Sequence, residues 1–206
     1  GGRASGHALL GQRLRHAGAA QLHEVLVGAD RPAFVRQHRV QGQVVLPATA
    51  YLDTLLAAGH GEAVMAEDVL IREAMLLPDD GSERFVQTLS EPLADGARSV
   101  TIASQAPGAD ADAGWVTHVG ATLRPLAGPG ERVDLAALRQ RCAESIAPED
   151  FYAGFAARGL DFGAGFRSLR QIRKGAGEAL GEVVLADELT HDGGGWLMHP
   201  VLLDGC

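Results

Sequence analysis

The sequence predicts an α+β fold in which an antiparallel sheet wraps a single helix, and the plan then starts a second time. Three observations point there. An apolar, proline-led helix runs from Ala48 to Ala58; short segments of strand character follow it; and a second proline-led apolar helix begins at Pro200. One helix followed by a meander of strands is stable when the sheet buries its apolar face on the helix. At 206 residues the chain is long enough for one large domain or two similar halves.

Each element has its own local reason. Pro47 suits the entry of a helix, where its fixed φ fits and its missing N–H is not needed. Strand character follows over Asp68 to Leu77, Arg84 to Ser90, Arg98 to Ser104 and Trp115 to Leu123. Arg84 to Ser90 puts Phe85, Gln87 and Leu89 on one side and Val86 and Thr88 on the other. Period 2 likewise places Trp115, Thr117, Val119, Ala121 and Leu123 on one face. Gln105 to Gly114 reads as a loop by composition, and Pro125 to Gly130 as a linker. Pro148 starts a further helix, with Glu149 and Asp150 in its first turn and Gly159 as its stop. Strand-like stretches follow at Phe166 to Lys174 and Ala179 to Ala186. Leu46-Pro47 leading into Tyr51-Leu52-Asp53 is echoed by His199-Pro200 leading into Leu202-Leu203-Asp204. This fits two structural halves, 1–130 and 131–206. The chain stops at Cys206 inside an apolar helix only just begun, which reads as a domain cut before its end.

Composition excludes several classes. Hydrophobic residues make up 46% and charged ones 21%, as in a globular protein. A net charge of -8, without any cluster of Lys and Arg, argues against nucleic acid as a partner. No apolar run approaches bilayer length and the glycine-rich start is unlike a signal peptide. Cys142 and Cys206 are too few for a disulfide framework. A soluble cytoplasmic protein without a membrane partner is expected.

The chemistry concentrates around His38. Imidazole is the side chain best suited to moving a proton near neutral pH. Gly42 permits close approach to the backbone, and the helix after Pro47 opens with free N–H groups that favour negative charge. Base, close approach and anion-stabilising dipole thus fall within one short stretch, as proton abstraction beside a carbonyl requires. Taken alone, a hydrogen-bonded turn histidine is the plainer reading. The wording shifts it: His38-x-x-x-Gly42-x-x-x-x-Pro47, with Val44-Val45-Leu46 before the proline and Tyr51-Leu52 after it, resembles the dehydratase domains of modular polyketide synthases. His7-Ala8-Leu9-Leu10-Gly11 stands where that family usually reads His-Pro-Leu-Leu-Gly. Gly159-Leu160-Asp161-Phe162-Gly163-Ala164-Gly165-Phe166 stands where it shows Gly-Tyr-x-Tyr-Gly-Pro-x-Phe. There Gly159, Gly163 and Phe166 match, while Leu160, Phe162 and Ala164 replace both tyrosines and the proline. His199-Pro200-Val201-Leu202-Leu203-Asp204 resembles His-Pro-x-x-Leu-Asp, whose aspartate opens an Asp-x-x-x-Gln/His motif.

The resemblance implies a double hot-dog fold, with His38 from the first half facing Asp204 from the second. It implies a hydro-lyase that eliminates water from a 3-hydroxyacyl thioester on acyl carrier protein, with His38 as base and Asp204 as acid. Gly42, Val45, Pro47, Leu160, Phe162 and Gly163 would line the substrate and hold its oxyanion. No metal or organic cofactor is implied, since the phosphopantetheine arm arrives with the carrier. Neighbouring domains of the same megasynthase and a second copy of the chain, as a homodimer, are the other partners implied, in polyketide and antibiotic biosynthesis. Two alternatives keep the fold: a domain that also closes an oxygen ring or shifts the double bond, and an inactive spacer. Retention of both His38 and Asp204 argues against the spacer.

Other constellations are set aside. His191, Asp192 and His199 match no zinc spacing and read as surface loop residues. Gly175-Ala176-Gly177 lacks the setting of a nucleotide loop, and no Gly-x-Ser-x-Gly elbow occurs. His118 and Cys142 read as structural.

Overall fold

The structure is a computed structural model that describes every residue except 1, 107, 111, 112, 129 and 131. Positions 107, 111 and 112 of the expected loop and 129 of the expected linker therefore lie outside the described residues. Short strands open the chain: β1 (Arg3–Ala4), β2 (Gln12–Leu14) and β3 (Gln21–Gly28), each antiparallel to the next. A tight hairpin follows, β4 (His38–Val40) and β5 (Gln43–Val45), leading into the central helix α1 (Ala48–Ala57). Next come β6 (Val64–Ile71), β7 (Leu76–Leu77), β8 (Glu83–Pro92), β9 (Arg98–Gln105) and β10 (Val116–Pro125). The remainder holds α2 (Leu135–Arg141), β11 (Glu144–Ile146), α3 (Pro148–Ala156), β12 (Leu160–Phe162), β13 (Leu169–Lys174), β14 (Ala179–Val183) and α4 (Pro200–Asp204).

A seven-stranded sheet, in the order β1-β2-β3-β8-β9-β10-β6, carries the main core. Its inner face presents Val86, Val100, Ile102, Val119 and Leu123 to Ala50, Tyr51 and Leu55 of α1. Leu55 is completely buried, so truncating it to alanine would cost about 2–5 kcal/mol. A second sheet, β12-β4-β5-β7, joins a strand from beyond residue 130 to the β4–β5 hairpin. The third, β11-β13-β14, covers a smaller cluster of Tyr152, Leu169 and Ile172.

Several boundaries differ from expectation for local reasons. The stretch Asp68 to Leu77 is two strands, since the chain leaves the sheet after Ile71 and Met75 turns into the core, its carbonyl accepting from the Leu46 N–H at 3.0 Å. The alternation expected over Trp115 to Leu123 holds only from Val119 onward. A register shift at His118 changes the phase, so His118 is buried beside Val119 while Trp115 is 40% exposed. Phe166 belongs to a one-turn 3-10 helix over Ala164–Phe166, and the strand begins at Leu169. The expected strand Ala179 to Ala186 stops at Val183. Pro47 lies one residue outside α1 as its N-cap, with extended backbone.

Candidate active site

The β4–β5 hairpin fixes His38. Its two turn residues, Gln41 and Gly42, have φ of 50° and 78°, the left-handed pair that a two-residue hairpin needs. This turn folds Val45 back over His38, whose Nδ1 lies 2.8 Å from the Val45 carbonyl oxygen. A carbonyl only accepts, so Nδ1 donates and carries the ring proton. Nε2 is left with its lone pair, the form in which imidazole acts as a base. Gly42 itself sits exposed at the hairpin tip, where its role is conformational, with open space around its Cβ position.

The chain beyond residue 130 closes over this ring. β12 runs antiparallel to β4 and places Phe162 directly opposite His38 and Leu160 opposite Val40. The His38 ring lies 5.7 Å from that of Phe162 and 5.3 Å from that of Phe166, so its surroundings are apolar and aromatic. Gln37 stitches the contact. Its carbonyl accepts from the Gly163 N–H at 2.8 Å, and its side-chain Oε1 accepts from the Gly165 N–H at 2.6 Å. A Cβ at Gly163 would meet the Gln37 Cβ at 2.8 Å, and one at Gly165 the Gln37 Nε2 at 2.9 Å. The segment that departs most from the family motif therefore packs directly on Gln37 beside β4, and at Gly163 there is no room for a side chain. Gly163→Ala is expected to destabilise the protein by about 1–3 kcal/mol, because the Gln37 main-chain side has no room to yield. Urea denaturation monitored by tryptophan fluorescence measures this.

Asp204 stands on α4, which packs against α1 and against the 3-10 turn that ends at Phe166. Removal from water pushes its carboxyl above the usual aspartate range, and the neighbouring His38 pulls it part of the way back. Its side chain takes no hydrogen bond from the described residues. Of the predicted site residues, His38, Val45, Phe162 and Asp204 are thus brought into one neighbourhood. Gly163 lies beside it through Gln37, Leu160 lies two residues along the strand, Pro47 heads α1, and Gly42 stands apart.

Two further histidine–carboxylate pairs flank this site. The backbone N–H groups of Leu9 and Leu10 donate to Nδ1 of His7 at 3.2 and 3.1 Å, so Nε2 carries the proton and donates to the fully buried Asp53 at 2.7 Å. Asp53 also accepts from the Met198 N–H at 2.8 Å. His199 repeats the wiring: Nδ1 accepts from the Val201 N–H at 3.2 Å and Nε2 donates to Asp192 at 3.1 Å. This corrects the expectation of a surface residue for His199, which is buried; His191 and Asp192 are exposed as expected, and Asp192 holds the Gly194 and Trp196 N–H groups as well. Among the described residues no group of three His, Cys, Asp or Glu is placed to hold a metal ion. His118 is bonded between Ser104 and the Glu73 carbonyl, and Cys142 is buried at the end of α2. Gly175 to Gly177 forms the β13–β14 turn. Gln37 and the His7–Asp53 pair escaped sequence reading. Asp53 carried a signal, a carboxylate on an apolar helix at the position that echoes Asp204.

Comparison with known proteins places the chain in a family. A family model described as "Polyketide synthase dehydratase domain" matches residues 7–105, and one described as "Polyketide synthase dehydratase N-terminal domain" matches residues 130–206. Polyketide synthase GfsE of Streptomyces halstedii is 30% identical over 193 residues, 90% of this chain but 5% of that protein. The dehydratase domain from the CurK module of curacin polyketide synthase is 30% identical with a TM-score of 0.88, over 97% of this chain and 71% of that one. Two inactive CurK dehydratase variants, one with a histidine replaced by phenylalanine and one with an aspartate replaced by asparagine, are each 29% identical. Their TM-scores are 0.87 and 0.88, over 97% of this chain and 71% and 73% of theirs. The architecture is the double hot-dog of these domains. The chain spans 5% and 10% of the first two full-length synthases it matches, and no described helix is long and apolar enough to cross a membrane.

Proposed function

The chain belongs to the polyketide synthase dehydratase domains, and from that premise we propose that it eliminates water from a 3-hydroxyacyl thioester presented by acyl carrier protein. The observation that carries this reading is the pairing of a bare imidazole nitrogen with a desolvated carboxyl at the seam of the two halves. The thioester carbonyl acidifies the α-proton, and His38 Nε2 takes it. The β-hydroxyl departs only as water, so it needs a proton, which Asp204 supplies. The product is an α,β-unsaturated thioester, and the proton taken by His38 is returned to solvent or to Asp204. The first turn of α1 supplies free N–H groups for the enolate-like oxygen. Base and acid are set apart by their environments: one has its tautomer fixed by the Val45 carbonyl, and the other has its carboxyl raised by desolvation, which favours the protonated form. The inactive CurK variants, altered at a histidine and an aspartate, support the same assignment. On this reading the substrate is delivered on a phosphopantetheine arm, and the acid–base chemistry itself calls for no organic cofactor.

Asp204→Asn tests the acid. The amide has no acidic proton to give, so water loss from 3-hydroxyacyl-acyl carrier protein, read by mass spectrometry on the intact polypeptide, is expected to fall about 10²–10⁴-fold. Unchanged turnover would sink the mechanism and favour an inactive or differently acting domain. The pH profile gives a second readout. Because the folded carboxyl titrates above its ordinary range, the wild-type rate is expected to fall on the alkaline side as Asp204 loses its proton. Stability follows the same sign: the folded state holds this proton more tightly than the unfolded chain, so the contribution is complete at low pH and is lost as pH rises through the folded value. Asp204→Asn is therefore expected to be at least as stable as wild type at neutral pH, which separates lost chemistry from lost fold. Thermal melts at pH 5 and pH 8 check this.

A further inference from the structure

At the end of α1 remote from His38, four basic side chains converge, with Glu62 beside His60 as the one carboxylate acting on His60. Strand register sets three of them in a row: Arg3 stands opposite Arg13 on β2, and Arg13 opposite His23 on β3. His60, just past the C-terminus of α1, brings its ring within 5.0 Å of His23. Together with Ala4 and Ser5 these side chains line a cavity of about 280 Å³. Arg15 and His16 extend the basic surface from the neighbouring cavity. Among the described residues, no ion pair involves Arg3 or Arg13. His23 is 1% exposed, and its Nδ1 is buried with no hydrogen-bond partner.

Like charges directly opposite on neighbouring strands are unfavourable, and a buried polar nitrogen without a partner costs about 1–3 kcal/mol. A chain of net charge -8 has carboxylates to spare, yet none is paired with either arginine. An anion in the cavity that these side chains line relieves both costs together. We propose that Arg3, Arg13, His23 and His60 form a binding site for a phosphate-class dianion, either free phosphate or the phosphate of a monoester. Two guanidinium groups offer planar forks of N–H donors that match phosphate oxygens, and the imidazoles add donors as they take up protons. The ten residues of α1, about 15 Å of helix, separate this cavity from the catalytic end. The site is therefore distinct from the pocket that receives the thioester.

The proton linkage gives the signature. Burial first, then His60 and Arg13, hold the His23 imidazole down at about 4. His60 is lowered by burial, Arg13 and Arg98, with Glu62 opposing them. Without an anion, His23 is neutral when folded but takes a proton below about 6.5 when unfolded, so its contribution to stability is complete above that pH and is lost toward 4. A bound dianion favours both imidazolium forms, so phosphate affinity is expected to rise as pH falls from 8 toward about 6, the second pKa of a phosphate, below which the ligand itself takes up a proton and the gain is offset.

The test is an NMR titration of the imidazole C–H signals of the intact polypeptide with inorganic phosphate and, separately, with methyl phosphate. Sodium chloride at matched ionic strength is the control. Saturable shifts of His23 and His60 with either phosphate, and a rise in their titration midpoints, are the expected result; a response to inorganic phosphate alone assigns the free ion, and to both the phosphoryl group. Arg13→Gln, at an exposed position, is expected to weaken binding about tenfold, the loss of one charge-assisted contact, and to leave water loss unchanged. Shifts equal to those in chloride, or full affinity in Arg13→Gln, would overturn the proposal. Because neither readout depends on dehydration, failure here and failure of the catalytic reading are separable.

Discussion

Replacing His38 with alanine is expected to lower the rate of water loss by about 10²–10⁴-fold, the usual contribution of a positioned general base. The structure supplies the reason. The Val45 carbonyl at 2.8 Å fixes the tautomer and leaves Nε2 free to take a proton, and the aromatic rings of Phe162 and Phe166 pack against the imidazole at 5.7 and 5.3 Å. No other imidazole replaces it: His7 and His199 each spend both ring nitrogens on backbone and carboxylate partners. The fold is expected to survive, because the hairpin is held by its own ladder and turn, and the lost ring leaves a small cavity costing about 1–3 kcal/mol. Single-turnover mass spectrometry beside circular dichroism separates the two effects. Water loss within threefold of wild type by a folded His38→Ala protein would remove the base from the mechanism and bring the inactive-spacer reading forward.

A large effect on stability is expected at Asp53. Its carboxylate is fully buried and accepts from His7 Nε2 at 2.7 Å and from the Met198 N–H at 2.8 Å. It thereby ties α1 to the opening segment of the chain and to the strap that leads into α4. The same junction is closed by the Ala8 N–H donating to the Gly194 carbonyl at 2.7 Å, and by the His7 ring packed edge-on against Trp196 at 5.1 Å. Asp53→Ala leaves the buried His7 N–H and the part-buried Met198 N–H without their acceptor, so a loss of about 2–4 kcal/mol is expected. That is a large share of the stability of a typical domain. Asp53→Asn keeps an acceptor for one of them and is expected to lose less. Equilibrium urea denaturation measures both, and a loss below about 1 kcal/mol for Asp53→Ala would show that the pair holds little. The consequence reaches the active site, since Met198 precedes the helix that carries Asp204 by two residues.

Local rules were enough for much of this protein. Proline at the entry of α1 and α4, period-2 alternation through β8, and glycine at the β4–β5 turn are short-range preferences, and each can be read from a few neighbouring residues. Motif wording carried His38 and Asp204 to the page as candidate base and acid, because their chemistry is written in residue type and in order along the chain. The bulge at His118 was not legible: a single extra residue in one strand inverts which face is buried, and alternation alone has no way to register it. Nor was the role of the degraded glycine segment. Its glycines matter because Gln37, 126 and 128 positions earlier, occupies the space their side chains would need.

By itself the sequence determined the α+β class, the two proline-led helices and the residue types able to move a proton. Only the tertiary structure decided which nitrogen of His38 is free, which carboxyl is desolvated and which carboxyl is spent on a structural histidine. Asp53 and Asp204 stand on matching apolar helices and look alike in sequence. Solvation and partners divide them: Asp53 meets an imidazole N–H and a backbone N–H in the core, while Asp204 is desolvated near His38 with no described hydrogen-bond donor. Such differences arise from groups brought together over more than a hundred residues, and burial and hydrogen bonding exist only once those distant surfaces have met.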